Sequence, residues 1–155
     1  MEEQKITIQT NQNKKERAIT HSFFFWLLSF FVLVLIDQAA KLLFFKNPGG
    51  FRNYFFAFSL PVPAVLMYLI YAAALGAIIC YLSKSYKTLA ALTKFAWTLI
   101  VVGAVANIAE RIILGYVRDF IYINFFHWTG IYNLADFFII AGIILLLIPE
   151  KTKIV

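Results

Sequence analysis

Four long apolar runs limit what this chain can become. They cover residues 23–45, 64–82, 89–109 and 131–148, with few polar interruptions. Each is close to the ~20 residues that cross a ~30 Å hydrocarbon core at 1.5 Å per residue. In lipid, every backbone N–H and C=O must find its partner within the segment, so each run is expected to be a helix. The second run follows the breaker Pro61-Val62-Pro63, and the fourth stops at Pro149.

Composition agrees. The 155 residues are 62% hydrophobic and 14% charged, whereas a soluble domain is about half apolar and about a quarter charged. Lipid is the natural solvent for so many Phe, Leu and Ile side chains. The expected class is an all-α membrane protein, with four transmembrane helices and a small extracytoplasmic β-strand region at the membrane surface. Residues 1–20 read as a polar cytoplasmic tail with no regular structure, and 21–155 as a single four-helix transmembrane domain. The first run, with basic residues before it, resembles a signal peptide, but three further spans favour an uncleaved anchor.

The net charge is +6, and the basic residues sit mainly at the ends of the apolar runs. That suits anionic lipid headgroups and makes nucleic acid an unexpected partner. Cys80 stands alone in an apolar run and reads as a small buried apolar side chain. His21 and His127 have no neighbours at ligand spacing, so neither a metal nor a cofactor is expected.

Lysine and arginine set the orientation. With the N-terminus inside, the cytoplasmic pieces hold Lys5, Lys14, Lys15, Arg17, Lys84, Lys87, Lys94, Lys151 and Lys153. The opposite side holds Lys41, Lys46, Arg52, Arg111 and Arg118. The bias favours both termini in the cytoplasm. Residues 46–62 and 110–130 then face outward. FRNYFFAFS and GYVRDFIYINFF within them are rich in aromatic and β-branched residues. They are expected to be short strands at headgroup level, or else plain interfacial loops.

In this topology Asp37, Glu110, Asp119 and Asp136 all lie at the outer ends of helices or in the outer loops, together with Lys41, Arg111, Asn53, Asn107 and Asn133. The cytoplasmic halves of the helices carry almost nothing polar. A charge at mid-membrane costs about 2.5–3.5 kcal/mol on insertion scales, so a one-sided cluster reads as a site. Asn107 and Arg111 are four apart and share a helix face, as do Asn133 and Asp136, three apart. Asp37 and Lys41 are four apart with the acid first, which suits a local ion pair that anchors the helix end. Asp119 on its own reads as a loop carboxylate paired with Arg118.

Two neighbouring aspartates that share a proton support acid–base catalysis. One activates water, while its protonated partner polarises a carbonyl. No G-x-S-x-G, H-E-x-x-H or phosphate-binding glycine loop anchors a rival chemistry.

Five segments in order resemble the bacterial lipoprotein signal peptidase (signal peptidase II) family: DQAAK at 37–41, NYFFAFS at 53–59, GAVANIAER at 103–111, GYVRDFI at 115–121 and YNLADFFI at 132–139. The resemblance implies an intramembrane aspartic endopeptidase of the bacterial cytoplasmic (inner) membrane. Such an enzyme cleaves diacylglyceryl-modified prolipoproteins just before the lipidated cysteine. It implies Asp119 and Asp136 as the catalytic pair, with Asn107, Arg111 and Asn133 orienting the substrate backbone and the pair. Asp37 and Lys41 then shape the outer end of the pocket, and Asn53, Ala57 and Phe58 belong to a strand region that cradles the substrate. The expected partners are lipidated prolipoproteins and membrane lipid, and the expected state is a monomer. The chain departs from the pattern at Phe55 and Ala106, where glycine is usual, and at Glu110, where aspartate is usual. The alternatives are a non-cleaving relative that binds lipidated substrates, which would be expected to lose an aspartate of the pair, and a small transporter, which would need polar residues along a whole pore.

Overall fold

The computed structural model describes residues 2–46, 50–55, 61–125 and 128–149. Ala57, Phe58, His127, Lys151 and Lys153 lie outside the described residues.

The first helix, α1, runs Glu2–Phe44. It therefore includes residues 2–20, for which the sequence reading expected no regular structure. No proline or glycine occurs from Glu2 to Lys46, so nothing local stops the helix. Its apolar part is Phe24–Phe44. Strand β1, Phe51–Asn53, comes next. Helix α2, Ala64–Ser85, starts directly after Pro63. Helix α3, Ala91–Leu114, ends on Gly115, whose φ of 81° is the left-handed conformation that closes a helix cheaply only as glycine. It therefore continues five residues past the expected limit at 109. The charges of Glu110 and Arg111 do not end it, because both are buried and partnered. Strands β2, Val117–Asp119, β3, Ile121–Phe125, and β4, Trp128–Tyr132, lead into helix α4, Leu134–Leu147.

Helices α1, α2 and α3 each offer a segment long and apolar enough to cross a membrane. Helix α4 is apolar apart from Asp136 in its first turn but has 14 residues, about 21 Å of helix. The expected span of 131–148 is too long at its start. Ile131 and Tyr132 are spent in β4, and Asn133 caps the helix.

α3 is the hub. Ala96, Leu99, Val102, Gly103, Ala106, Asn107, Glu110 and Arg111 form one buried stripe along it. The spacing of three and four is that of a single helix face. Lipid tails are as apolar as leucine, so helices associate through close packing of small residues. A Cβ on Gly103 would fall 2.3 Å from the carbonyl oxygen of Ala135, and one on Gly142 would fall 2.6 Å from that of Ala96. These two glycines allow α3 and α4 to touch backbone to backbone. Ala106, one of the departures from the family pattern, fits in the same stripe at 2% exposure. α2 packs loosely, and Met67 is its one buried side chain. Cys80 lies on α2 and is exposed, not buried as expected. Its run is apolar because it faces lipid, a setting that hydropathy alone does not separate from a protein core.

The strands form two antiparallel pairs. β1 lies on β2 with Phe51 opposite Asp119 and Asn53 opposite Val117. β3 lies on β4 from Ile121–Tyr132 to Phe125–Trp128. The short strands expected in the outer segments are therefore present.

Candidate active site

The β3–β4 pair performs the decisive local step. Because Ile121 pairs with Tyr132 and the Phe120 N–H donates to the Tyr132 carbonyl at 2.9 Å, the residues just outside the pair, Asp119 and Asn133, are brought together. Asn133 Nδ2 donates to Asp119 Oδ1 at 2.6 Å. Asn133 also caps α4. Its Oδ1 accepts from the Asp136 N–H at 3.2 Å, and its own N–H donates to Asp136 Oδ2 at 3.0 Å. This is a reciprocal capping box, which satisfies helix N–H groups that have no partner within the helix. One asparagine thus holds both aspartates.

Other elements complete the shell. Asn53 Nδ2 donates to Asp119 Oδ2 at 2.9 Å from β1. Asn107 Nδ2 donates to Asp136 Oδ1 at 2.8 Å from α3. Lys41 Nζ donates to Asn107 Oδ1 at 2.9 Å, which fixes the direction of that amide. Lys41 also pairs with Asp37 at 2.9 Å and Glu110 at 3.3 Å. Lys41 and Asp37 are both 0% exposed. Such a lysine persists only when carboxylates and hydrogen bonds replace its water. The other oxygen of Asp37 accepts from the Ala135 N–H at 2.9 Å, so α1 caps the first turn of α4. The carboxylate there also meets the positive end of the helix dipole.

Arg118 does not pair with Asp119. Successive strand residues face opposite sides, and Arg118 turns to Glu110, at 2.7 Å through Nε, and to Gln38, at 3.0 Å. Glu110 thereby joins Lys41 to Arg118, and Gln38 closes the circuit by donating to Asp37 at 3.1 Å. The sequence places Glu110 among the outer-end acids and as a departure from the family pattern, without a partner, and gives Gln38 and Arg118 no part in the site. Arg111, sharing a face with Asn107, donates to the Phe55 carbonyl at 2.8 Å and lies over the Tyr71 ring. Its Nε has no hydrogen-bond partner among the described residues. Phe55 is itself exposed, and the Phe55 N–H donates to Asn53 Oδ1 at 3.0 Å. Its backbone is held at both ends while its ring is free, which shows how this position accepts phenylalanine.

Asp37, Lys41, Asn53, Asn107, Arg111, Asp119, Asn133 and Asp136 therefore meet at one end of the bundle. Asp119 is 1% exposed. Burial pushes its carboxyl up to about 6, against the opposing pull of the Asn133 and Asn53 amides. No group of three or more His, Cys, Asp or Glu that could hold a metal occurs among the described residues.

Apolar helices that can cross a membrane, with buried carboxylates gathered at one end, define a multi-pass membrane protein with a polar site. The model of the signal peptidase (SPase) II family matches residues 5–150, and the chain belongs to that family. It is 32% identical over 129 residues to a lipoprotein signal peptidase of Cupriavidus pinatubonensis, covering 81% of this chain and 65% of that protein. A lipoprotein signal peptidase of Bartonella henselae is 36% identical over 146 residues, covering 83% of this chain and 90% of that one. The chain thus spans somewhat less than two thirds of the Cupriavidus relative and most of the Bartonella one. Two solved bacterial membrane enzyme structures share the fold at TM-scores of 0.68 and 0.67. Both are 24% identical, and they cover 84% and 83% of this chain and 93% of theirs.

Proposed function

We propose that the chain is an aspartic endopeptidase that removes signal peptides from diacylglyceryl-modified prolipoproteins by cutting before the lipidated cysteine. The observation that carries this reading is the joint hold of Asn133 on Asp119 and Asp136. It is supported by family membership. Charge balance at the site also favours it. Asp37, Glu110, Asp119 and Asp136 are four carboxylates, and Lys41, Arg111 and Arg118 are three cations. One proton on one carboxyl neutralises the cluster, and a single shared proton is what an aspartic pair needs.

In the proposed mechanism Asp119, the deeper acid, keeps the proton and polarises the scissile carbonyl. Asp136, half-buried and therefore reachable, takes a proton from the attacking water. The proton then passes to the leaving amine as the tetrahedral intermediate collapses. Asn107 and Asn133 keep the carboxylates in register, and Arg111, with Nε unsatisfied among the described residues, presents an N–H to a substrate carbonyl. Asp37 and Lys41 set the direction of Asn107 from behind. We place the site at the outer face of the cytoplasmic membrane, with both termini in the cytoplasm, and assign the working unit as a monomer.

The test is cleavage by purified protein of a diacylglyceryl-modified prolipoprotein beside its unlipidated form. Cutting of the lipidated substrate alone, at the bond before the modified cysteine, is the expected result. Saturable binding of that substrate without cleavage would make the chain a non-cleaving relative instead.

A further inference from the structure

At the end of the bundle opposite the aspartates, α1, α2 and α3 diverge around a cavity of about 450 Å³. Trp26 and Phe30 line it from α1, Tyr86 from the end of α2, and Lys94, Trp97 and Val101 from α3. The wall is almost wholly apolar, yet it holds three polar groups that are poorly matched to it. Trp97 Nε1 and the Tyr86 hydroxyl are buried atoms with no hydrogen-bond partner among the described residues. Lys94 Nζ lies 4.8 Å above the centre of the Tyr86 ring and is ion-paired with none of Asp37, Glu110, Asp119 and Asp136. Indole N–H is a donor only, and an ammonium is a donor only, so what they lack is an acceptor. The missing acceptor is also anionic by charge complementarity. No Asp or Glu occurs between Lys41 and Glu110, while Lys84 and Lys87 add positive charge at this end.

We infer that this cavity is a binding site for one anionic glycerophospholipid. An acyl chain fills the apolar space between α1 and α3, and the phosphate oxygens accept from Lys94, Trp97 Nε1 and the Tyr86 hydroxyl. The site is separate from the aspartate cluster and uses none of its residues. Ordinary boundary lipid slides over a smooth apolar surface. Here buried donors pin the headgroup, which makes binding selective for phosphate bearing a net negative charge. A signal peptide with a basic leading segment is a poor occupant, since it would meet Lys84, Lys87 and Lys94.

The test is native mass spectrometry of the whole chain in neutral detergent, titrated with dioleoyl phosphatidylglycerol or dioleoyl phosphatidylcholine. Thermal unfolding of each sample is followed in parallel to confirm folding. One phosphatidylglycerol should be retained per chain, with affinity about tenfold above phosphatidylcholine, the scale of a lost charged hydrogen bond. Lys94→Gln and Trp97→Phe should each erase that preference while the variants stay folded. Lys46→Gln, a charge change at the opposite end of the bundle and outside both sites, should preserve it. Equal retention of the two lipids, or an unchanged preference in both cavity variants, would overturn the site. So would displacement of bound phosphatidylglycerol by a basic signal peptide, which would make the cavity a peptide site.

Discussion

Asn133 donates its side-chain amide to Asp119 at 2.6 Å while its backbone N–H donates to Asp136 at 3.0 Å. A residue that caps a helix is therefore also the clamp on two carboxylates from different elements. Asn133→Ala removes the cap acceptor and the Asp119 donor together. Loss of an N-cap costs about 0.5–2 kcal/mol, so folded protein should remain. Cleavage should fall far more than stability, by about 10²-fold or more, because misplaced catalytic groups are punished steeply. A parallel reading of thermal unfolding and cleavage rate checks this. A rate that follows stability alone would reduce Asn133 to a cap.

Asn53 favours the ionised form of Asp119 through its 2.9 Å hydrogen bond, against burial that pushes this carboxyl up to about 6. Asn53→Ala should therefore move the alkaline limb of the cleavage–pH profile to higher pH. A shift to lower pH would contradict the assigned sign. Stability follows the same linkage. The folded-state value lies above the ~3.9 of an unfolded aspartate, so the contribution of Asp119 is fully present below about pH 4 and is lost as pH rises through about 6. Denaturation of the parent at pH 4 to 7 should show that decline, reduced in Asp119→Asn.

Lys41 is enclosed by Asp37, Glu110 and the amide oxygen of Asn107. Lys41→Met removes the ion partner of Asp37 and one of the two ion partners of Glu110, which keeps Arg118, and should cost about 3–5 kcal/mol. In Lys41→Met with Glu110→Gln the Lys41–Glu110 pair is lost once and not twice, so the double variant should be less destabilised than the sum of the singles. Additive losses in a double-mutant cycle would mean that Lys41 and Glu110 do not interact.

Gly103 and Gly142 set the α3–α4 distance. Gly103→Ala and Gly142→Ala should each cost about 1–3 kcal/mol, the usual penalty for overpacking. Gly76→Ala, where a Cβ meets nothing within 4 Å, should be neutral or stabilising. Unfolding of the three variants under one condition ranks them. A neutral Gly103→Ala would show that the helices can separate without loss.

Much of this was legible because hydropathy period and length are local signals. Three of the four apolar runs became helices suited to crossing a membrane, and the polar residues did gather at one end. The fold of the site was less legible. Pairing of Ile121 with Tyr132 is what joins Asp119 to Asn133, and strand register is a tertiary outcome. Residues 2–20 looked unstructured because they are polar, although they contain no helix breaker. The capping box was open to discovery: Asn133, then Asp136 three residues later before an apolar run, is a helix-start signature. Glu110 and Arg118 gave no such signal, since their partnership crosses the turn that Gly115 opens. Cys80 shows the limit of hydropathy, which reads apolar surroundings without telling lipid from core.

The most direct test is single-turnover cleavage of a lipidated prolipoprotein by the reconstituted parent, Asp119→Asn and Asp136→Asn. Both replacements keep side-chain size and remove a titrating carboxyl. Both variants should bind substrate and unfold near the parental temperature, with cleavage reduced by about 10³-fold or more, within the range of acid–base contributions. Parental cleavage by either variant would contradict the assignment of Asp119 and Asp136 as the catalytic pair.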